Sequence, residues 1–85
     1  VTLLFTDTAI SVELDGAGNP VAYTRQGRRR AFARVVERHE VHTDWWEPAG
    51  ELHRAYHALI TFDGQLVSIY QDLLAGGWFL ARLYD

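Results

Sequence analysis

Ala55-Tyr56-His57-Ala58-Leu59-Ile60-Thr61-Phe62, then Asp63-Gly64, then Gln65-Leu66-Val67-Ser68-Ile69-Tyr70-Gln71: the reading of this stretch decides the fold. Two largely apolar runs flank an Asp-Gly pair, the strongest short-range signal for a hairpin. Read as a two-residue loop, the pair sets Phe62 opposite Gln65, Ile60 opposite Val67, Ala58 opposite Ile69 and Tyr56 opposite Gln71. That register collects Tyr56, Ala58, Ile60, Val67 and Ile69 on one face, and His57, Leu59, Leu66 and Tyr70 on the other. Trp78 to Tyr84 supplies a third strand. It is reached through Asp72 to Gly77, where Asp initiates a turn and two glycines accept positive φ.

Upstream, Val21 to Arg25 and Arg28 to Val41 predict another hairpin around Gln26-Gly27, with Thr24 opposite Arg29 and Tyr23 opposite Arg30. Phe32, Val35, Val36 and His39 have helical spacing, so a helix at 30–40 and an α+β fold are the alternative. The β-branched content and the neighbouring hairpins favour a long strand with a bend or bulge. Ile10, Val12 and Leu14 alternate and predict a peripheral strand, while Asp15 to Pro20 is the most loop-like run. The expected division is 1–19 as an N-terminal arm or edge strand and 20–85 as a small β domain. Five to six strands in hairpin order predict an all-β antiparallel meander. Both faces of the Asp63-Gly64 hairpin are apolar, so a flat sheet would leave one exposed; the meander is expected to curl into a half-open barrel.

Composition narrows the function. Eighty-five residues suit one domain with a small core, and three Trp, four Tyr and four Phe help so short a chain bury surface. Without Cys there is neither a disulfide framework nor a thiolate metal site. A net charge of −3 argues against general affinity for polyanions. No apolar run approaches a bilayer span and no signal peptide is evident, so a soluble cytoplasmic chain without membrane contact is expected.

Four histidines, His39, His42, His53 and His57, lie near Glu37, Glu40 and Asp44. A zinc site needs three or four converging ligands, and His53 and His57 stand roughly four strand rises of ~3.4 Å apart, so no metal and no cofactor is expected. Arg25, Arg28, Arg29 and Arg30 cluster at the Gln26-Gly27 turn. Such a tip can grip phosphates while Tyr23 stacks on a base; equally, it can be a solvated hairpin end. Trp45-Trp46 lies in a connection. Adjacent residues of an extended segment point to opposite faces, so one indole is expected at the surface as a binding hot spot unless both cap the barrel end. No nucleophile–base arrangement or phosphate-cradling glycine loop is present, and the chain is not expected to be an enzyme.

The order Pro20-Val21, Gly27-Arg28-Arg29-Arg30, Ala33-Arg34-Val35-Val36-Glu37-Arg38, Trp45-Trp46, Arg54-x-Tyr56, Asp63-Gly64, Tyr70-Gln71-Asp72, Gly76-Gly77-Trp78-Phe79-Leu80 and Leu83-Tyr84-Asp85 resembles a short bacterial domain of unknown function. It is similar also to the C-terminal domain of the ImuB family, the polymerase-like proteins of the bacterial mutasome. The likeness covers about Pro20 to Asp85, with His57 where the family often has Tyr and His39 where it has Trp. It implies a non-catalytic module of DNA-damage tolerance, an accessory to translesion synthesis. Its partner would be a DNA polymerase or another mutasome component, met through Trp45, Trp46, Tyr56 and Trp78. Nucleic acid, held by Tyr23, Arg25, Arg28, Arg29 and Arg30, is the alternative partner.

Overall fold

The computed structural model describes residues 2–44, 46 and 50–84, with side chains from Thr8 onward. Six strands follow one another: β1 (Thr2–Leu14), β2 (Pro20–Arg25), β3 (Arg28–Thr43), β4 (Leu52–Thr61), β5 (Leu66–Asp72) and β6 (Trp78–Tyr84). Each pairs antiparallel with the next, and β1 returns to β6, so the meander closes into a barrel. The all-β expectation holds, but the barrel is closed rather than half-open. The reason is β1, which pairs on both sides, with Val12 opposite Tyr23 and Ile10 opposite Trp78. No described helix is long and apolar enough to cross a membrane.

Residues 30–40 belong to a strand, not a helix. Two bulges in β3 explain the helical spacing there: Phe32 pairs with Thr61 and Arg34 with Ile60, then Val35 with Leu59 and Glu37 with Ala58. Each bulge inserts one residue, so apolar positions three apart recur on one face without any helical turn.

The loop between β4 and β5 has three residues rather than two. Thr61 N–H donates to the Gln65 carbonyl at 2.9 Å, Gly64 N–H donates to the Thr61 carbonyl at 2.9 Å, and Gly64 has φ of 89°. The Thr61 hydroxyl donates to the Asp63 carboxylate and accepts from Gln65 N–H, locking the longer loop. Leu59 therefore faces Val67, His57 faces Ile69 and Tyr56 faces Tyr70. This corrects the two-residue register by one position, and a one-residue slip turns every β5 side chain to the other face. Gly64→Val should cost more than ~1 kcal/mol, because a β-branched residue resists positive φ. An added Cβ would meet nothing within 4 Å, so the loss isolates backbone strain. An unchanged melting temperature would contradict this turn.

Leu59, Val67, Ile69, Leu80 and Leu83 point inward with Tyr23 and Phe32, and Ile10, Val12 and Trp78 pack against them. Meander order puts loops 15–19 and 73–77, with the C-terminal end of β3 and the N-terminal end of β4, at one end of the barrel, and turns 26–27 and 62–64 at the other.

Candidate functional site

The corrected register leaves apolar residues on the outer wall as well as the inner one. Ala58 of β4 pairs with Ser68 of β5, Ser68 pairs with Arg82 of β6, and Ala81 is the extra residue of a bulge beside them. These three small side chains make a low floor across three strands. Two residues to one side runs the row Tyr56, Tyr70, Phe79, and two residues to the other runs Ile60, Leu66, Tyr84. The rows stand roughly 14 Å apart at ~3.4 Å per residue. Between them lies a trench of about 670 Å³ with Val36, Glu37 and His39 of β3 at one end and Arg82 near the other.

The aromatic wall is built by mutual stacking. His39 lies 5.1 Å from Tyr56 with planes 6° apart, Tyr56 lies 5.2 Å from Tyr70, and Tyr70 lies 5.2 Å from Phe79. The Arg54 guanidinium sits 4.5 Å over the Tyr70 ring and donates to the Tyr56 hydroxyl at 3.3 Å. Each ring pair contributes about 0.5–1.5 kcal/mol beyond area burial. Tyr70 is consequently only 4% exposed although it points outward. The interior rings, Tyr56 and Tyr70, are each flanked by a ring on both sides.

Among the described residues, Tyr56 is the one expected partner-contact residue that lines this trench. Trp78 points inward, packed against the core with its ring 5.5 Å from His57. Trp46 is 64% exposed in the β3–β4 connection, and Trp45 lies outside the described residues. The expected surface is thus dispersed. The residues that sequence reasoning missed, Ala58, Ser68, Tyr70, Ala81 and Tyr84, become neighbours only once the register is known.

The Arg tip divides in two. Tyr23 pairs with Arg30 and Arg25 with Arg28, so these three arginines share the inward face of the hairpin with Tyr23. Arg29 takes the outward face, where its Nε donates to Glu13 at 2.5 Å. Tyr23 is 3% exposed and stacks on Phe32 at 5.5 Å, so its ring is enclosed in the core and not presented to a base. Burial pushes its phenol pKa up, against the pull of Arg30 and Arg25.

His42 and His53 stack at 4.3 Å, with Glu40 3.1 Å from His53 and Glu51 3.9 Å from His42. Among the described residues no group of three or more potential ligands is placed to hold a metal ion. His57 stands apart inside the barrel, 5% exposed, and its Nδ1 has no hydrogen-bond partner. Burial holds its imidazole below the usual 6.5, the Arg38 guanidinium adds to this, and the Ala55 backbone acts the other way. The unfolded chain therefore takes up a proton that the barrel refuses. Stability should fall as pH drops through about 6.5 and level off once the folded state titrates. The carboxylates of Asp63, lowered by the Thr61 hydroxyl, and of Asp15 and Asp72, lowered by loop amides, act at lower pH. Denaturant titrations across pH 5–8 should show the first limb in the native protein and its loss in His57→Leu; a limb that survives the substitution belongs to another group.

No protein family, curated protein or solved structure matches this chain.

Proposed function

We propose that this chain is a non-catalytic interaction module that holds an extended apolar segment of a protein partner in the trench on its outer wall. The supporting observation is the floor of Ala58, Ser68 and Ala81 between two rows of large side chains. A barrel wall facing only water has no need of such a shaped apolar groove. Crossing three strand intervals of ~4.8 Å, the trench accommodates about four residues of extended chain. The Glu37 carboxylate at one end and the Arg82 guanidinium near the other would set its direction.

A protein segment suits the wall better than a single nucleic-acid strand does. Bases bind by stacking on open ring faces, and here the interior rings already stack on one another. The resemblance to the ImuB C-terminal domain supplies the partner class, a DNA polymerase or another mutasome component. A polymerase-like gene body or mutasome genes beside the coding sequence would join the chain to that pathway.

The direct test is selection from a displayed random-peptide library, followed by affinity measurement on Ser68→Trp. Ser68 points away from the core, so the variant should fold and fill the trench floor. A selected consensus with apolar anchors should lose at least about thirtyfold in affinity, the scale of one hot-spot contact. A library that yields no consensus, or one whose peptides bind the folded variant equally well, would sink the reading.

A further inference from the structure

We infer that the edge of β3 from Glu37 to Thr43 is a self-association site, where two copies of this chain pair antiparallel about a two-fold axis at His39. The site does not depend on the trench. β3 pairs with β2 only from Arg28 to Ala31, whereas its pairing with β4 continues to Thr43. Among the described residues no other strand pairs with that side of β3. The strand is exposed on both faces from Ala33 to Glu40. Its bulges lie before Glu37, so the stretch from there to Thr43 is regular. Such an edge offers a row of backbone donors and acceptors on which a further strand can build.

The ladder fixes which groups the edge presents. Leu73 N–H donates to the His53 carbonyl at 2.8 Å, so His53 turns its backbone toward β5 and Arg54 turns its own toward β3. By alternation Tyr56 also turns toward β3. Val41 and His39, the partners of Arg54 and Tyr56, therefore turn toward β4. Arg38 and Glu40 point their N–H and C=O groups outward. An axis at His39 sets Arg38 of each copy opposite Glu40 of the other, a pair whose backbones exchange both hydrogen bonds.

The side chains select a second copy as the occupant. Directly opposed residues share one face of a sheet, so each Arg38 guanidinium meets a Glu40 carboxylate across the new seam. An axis at Arg38 or at Glu40 would set like charges face to face instead. An axis at Val41 would carry Arg38 past the end of the strand, against Asp44. Edges kept single are commonly protected by charges that repel an incoming strand; Arg38-His39-Glu40 is its own complement when reversed. Arg38 now donates to the Asn19 side chain at 3.3 Å, and Glu40 lies 3.1 Å from His53. Both contacts are exposed, so exchanging them costs little.

Charge reversal supplies the test. Sedimentation equilibrium of the whole chain should show a monomer–dimer equilibrium, weak because a strand edge buries little apolar area. Amide exchange at Arg38 and Glu40 should slow as the dimer fills, while His39 and Val41, already facing β4, should not change. Arg38→Glu and Glu40→Arg each create two like-charge pairs, and each alone should weaken the dimer at least about tenfold. The two substitutions together reverse the pair and should restore the native affinity to within about threefold. Both positions are exposed, so the three variants should fold, and melting curves at monomeric concentration check this. A chain that stays monomeric up to about 1 mM would overturn the site and leave the edge to a strand of another protein. A dimer that neither single variant weakens, or that the double variant fails to restore, would be held by a different surface or register and would overturn it as well.

Discussion

Leu59→Ala should lower stability by about 2–5 kcal/mol, and Ile60→Ala, the next residue on the same strand, by less than half of that. Leu59 is 0% exposed at the centre of the core, with Val67 across the strand pair and Val35 on the other side. Removing its three distal carbons leaves a cavity that rigid neighbouring strands cannot collapse to fill. Ile60 points to the outer wall and keeps part of its surface in water, so its truncation forfeits less buried area. A chain of this length has a total stability of roughly 4–13 kcal/mol, so the Leu59 variant should lose much of its cooperative transition. Urea midpoints of the two variants decide between the registers. If Ile60→Ala were the costlier change, β4 would have to present its other face to the core, the face that a two-residue loop would align with Val67 and Ile69.

That contrast marks where sequence reading reached and where it stopped. Strand content and hairpin order were legible because apolar runs are separated by turn residues with distinct backbone requirements. The Gln26-Gly27 turn was read with its true register, since both residues have positive φ, 52° and 78°, and the loop has two residues. The Asp63-Gly64 turn carries a stronger signal but admits two loop lengths. The choice lies with Thr61, whose hydroxyl reaches both Asp63 and Gln65, a contact that pattern alone does not reveal. One residue of slip then hid the trench, because its floor and walls are defined only by which β4 and β5 residues share the outer face.

The candidate sites show the same limit. Tyr56 was identified for its aromatic character, but Tyr70 and Tyr84 gain meaning only as its neighbours along and across the trench. Trp78, chosen as a contact residue, is turned inward by the alternation of β6, in which Leu80 and Leu83 are also internal. The bulge at Ala81 sits between those two and keeps both inside at a spacing of three. Bulges leave no compositional mark, so their effects on facing are invisible until the strands are paired.

The largest expected effect is at the seam. A chain beginning at Pro20, the boundary that composition suggests, should fail to fold as a stable monomer. β1 is the strand that closes the barrel, and without it β2 and β6 would each present an open row of backbone donors and acceptors. Ile10 and Val12 would also leave the core, uncovering Tyr23 and Trp78, their cross-strand partners. Lost pairing on two edges together with lost apolar burial should exceed the roughly 4–13 kcal/mol that holds a chain of this size. Sedimentation and far-ultraviolet circular dichroism of the 20–85 chain should show aggregates, strand-swapped oligomers or disorder. Adding a synthetic 2–14 peptide should restore a folded one-to-one complex and shift the tryptophan emission to the blue as Ile10 again covers Trp78. A monomeric 20–85 chain with the native melting transition would show that the barrel does not depend on this strand, and that the N-terminal stretch is the appendage its composition suggests.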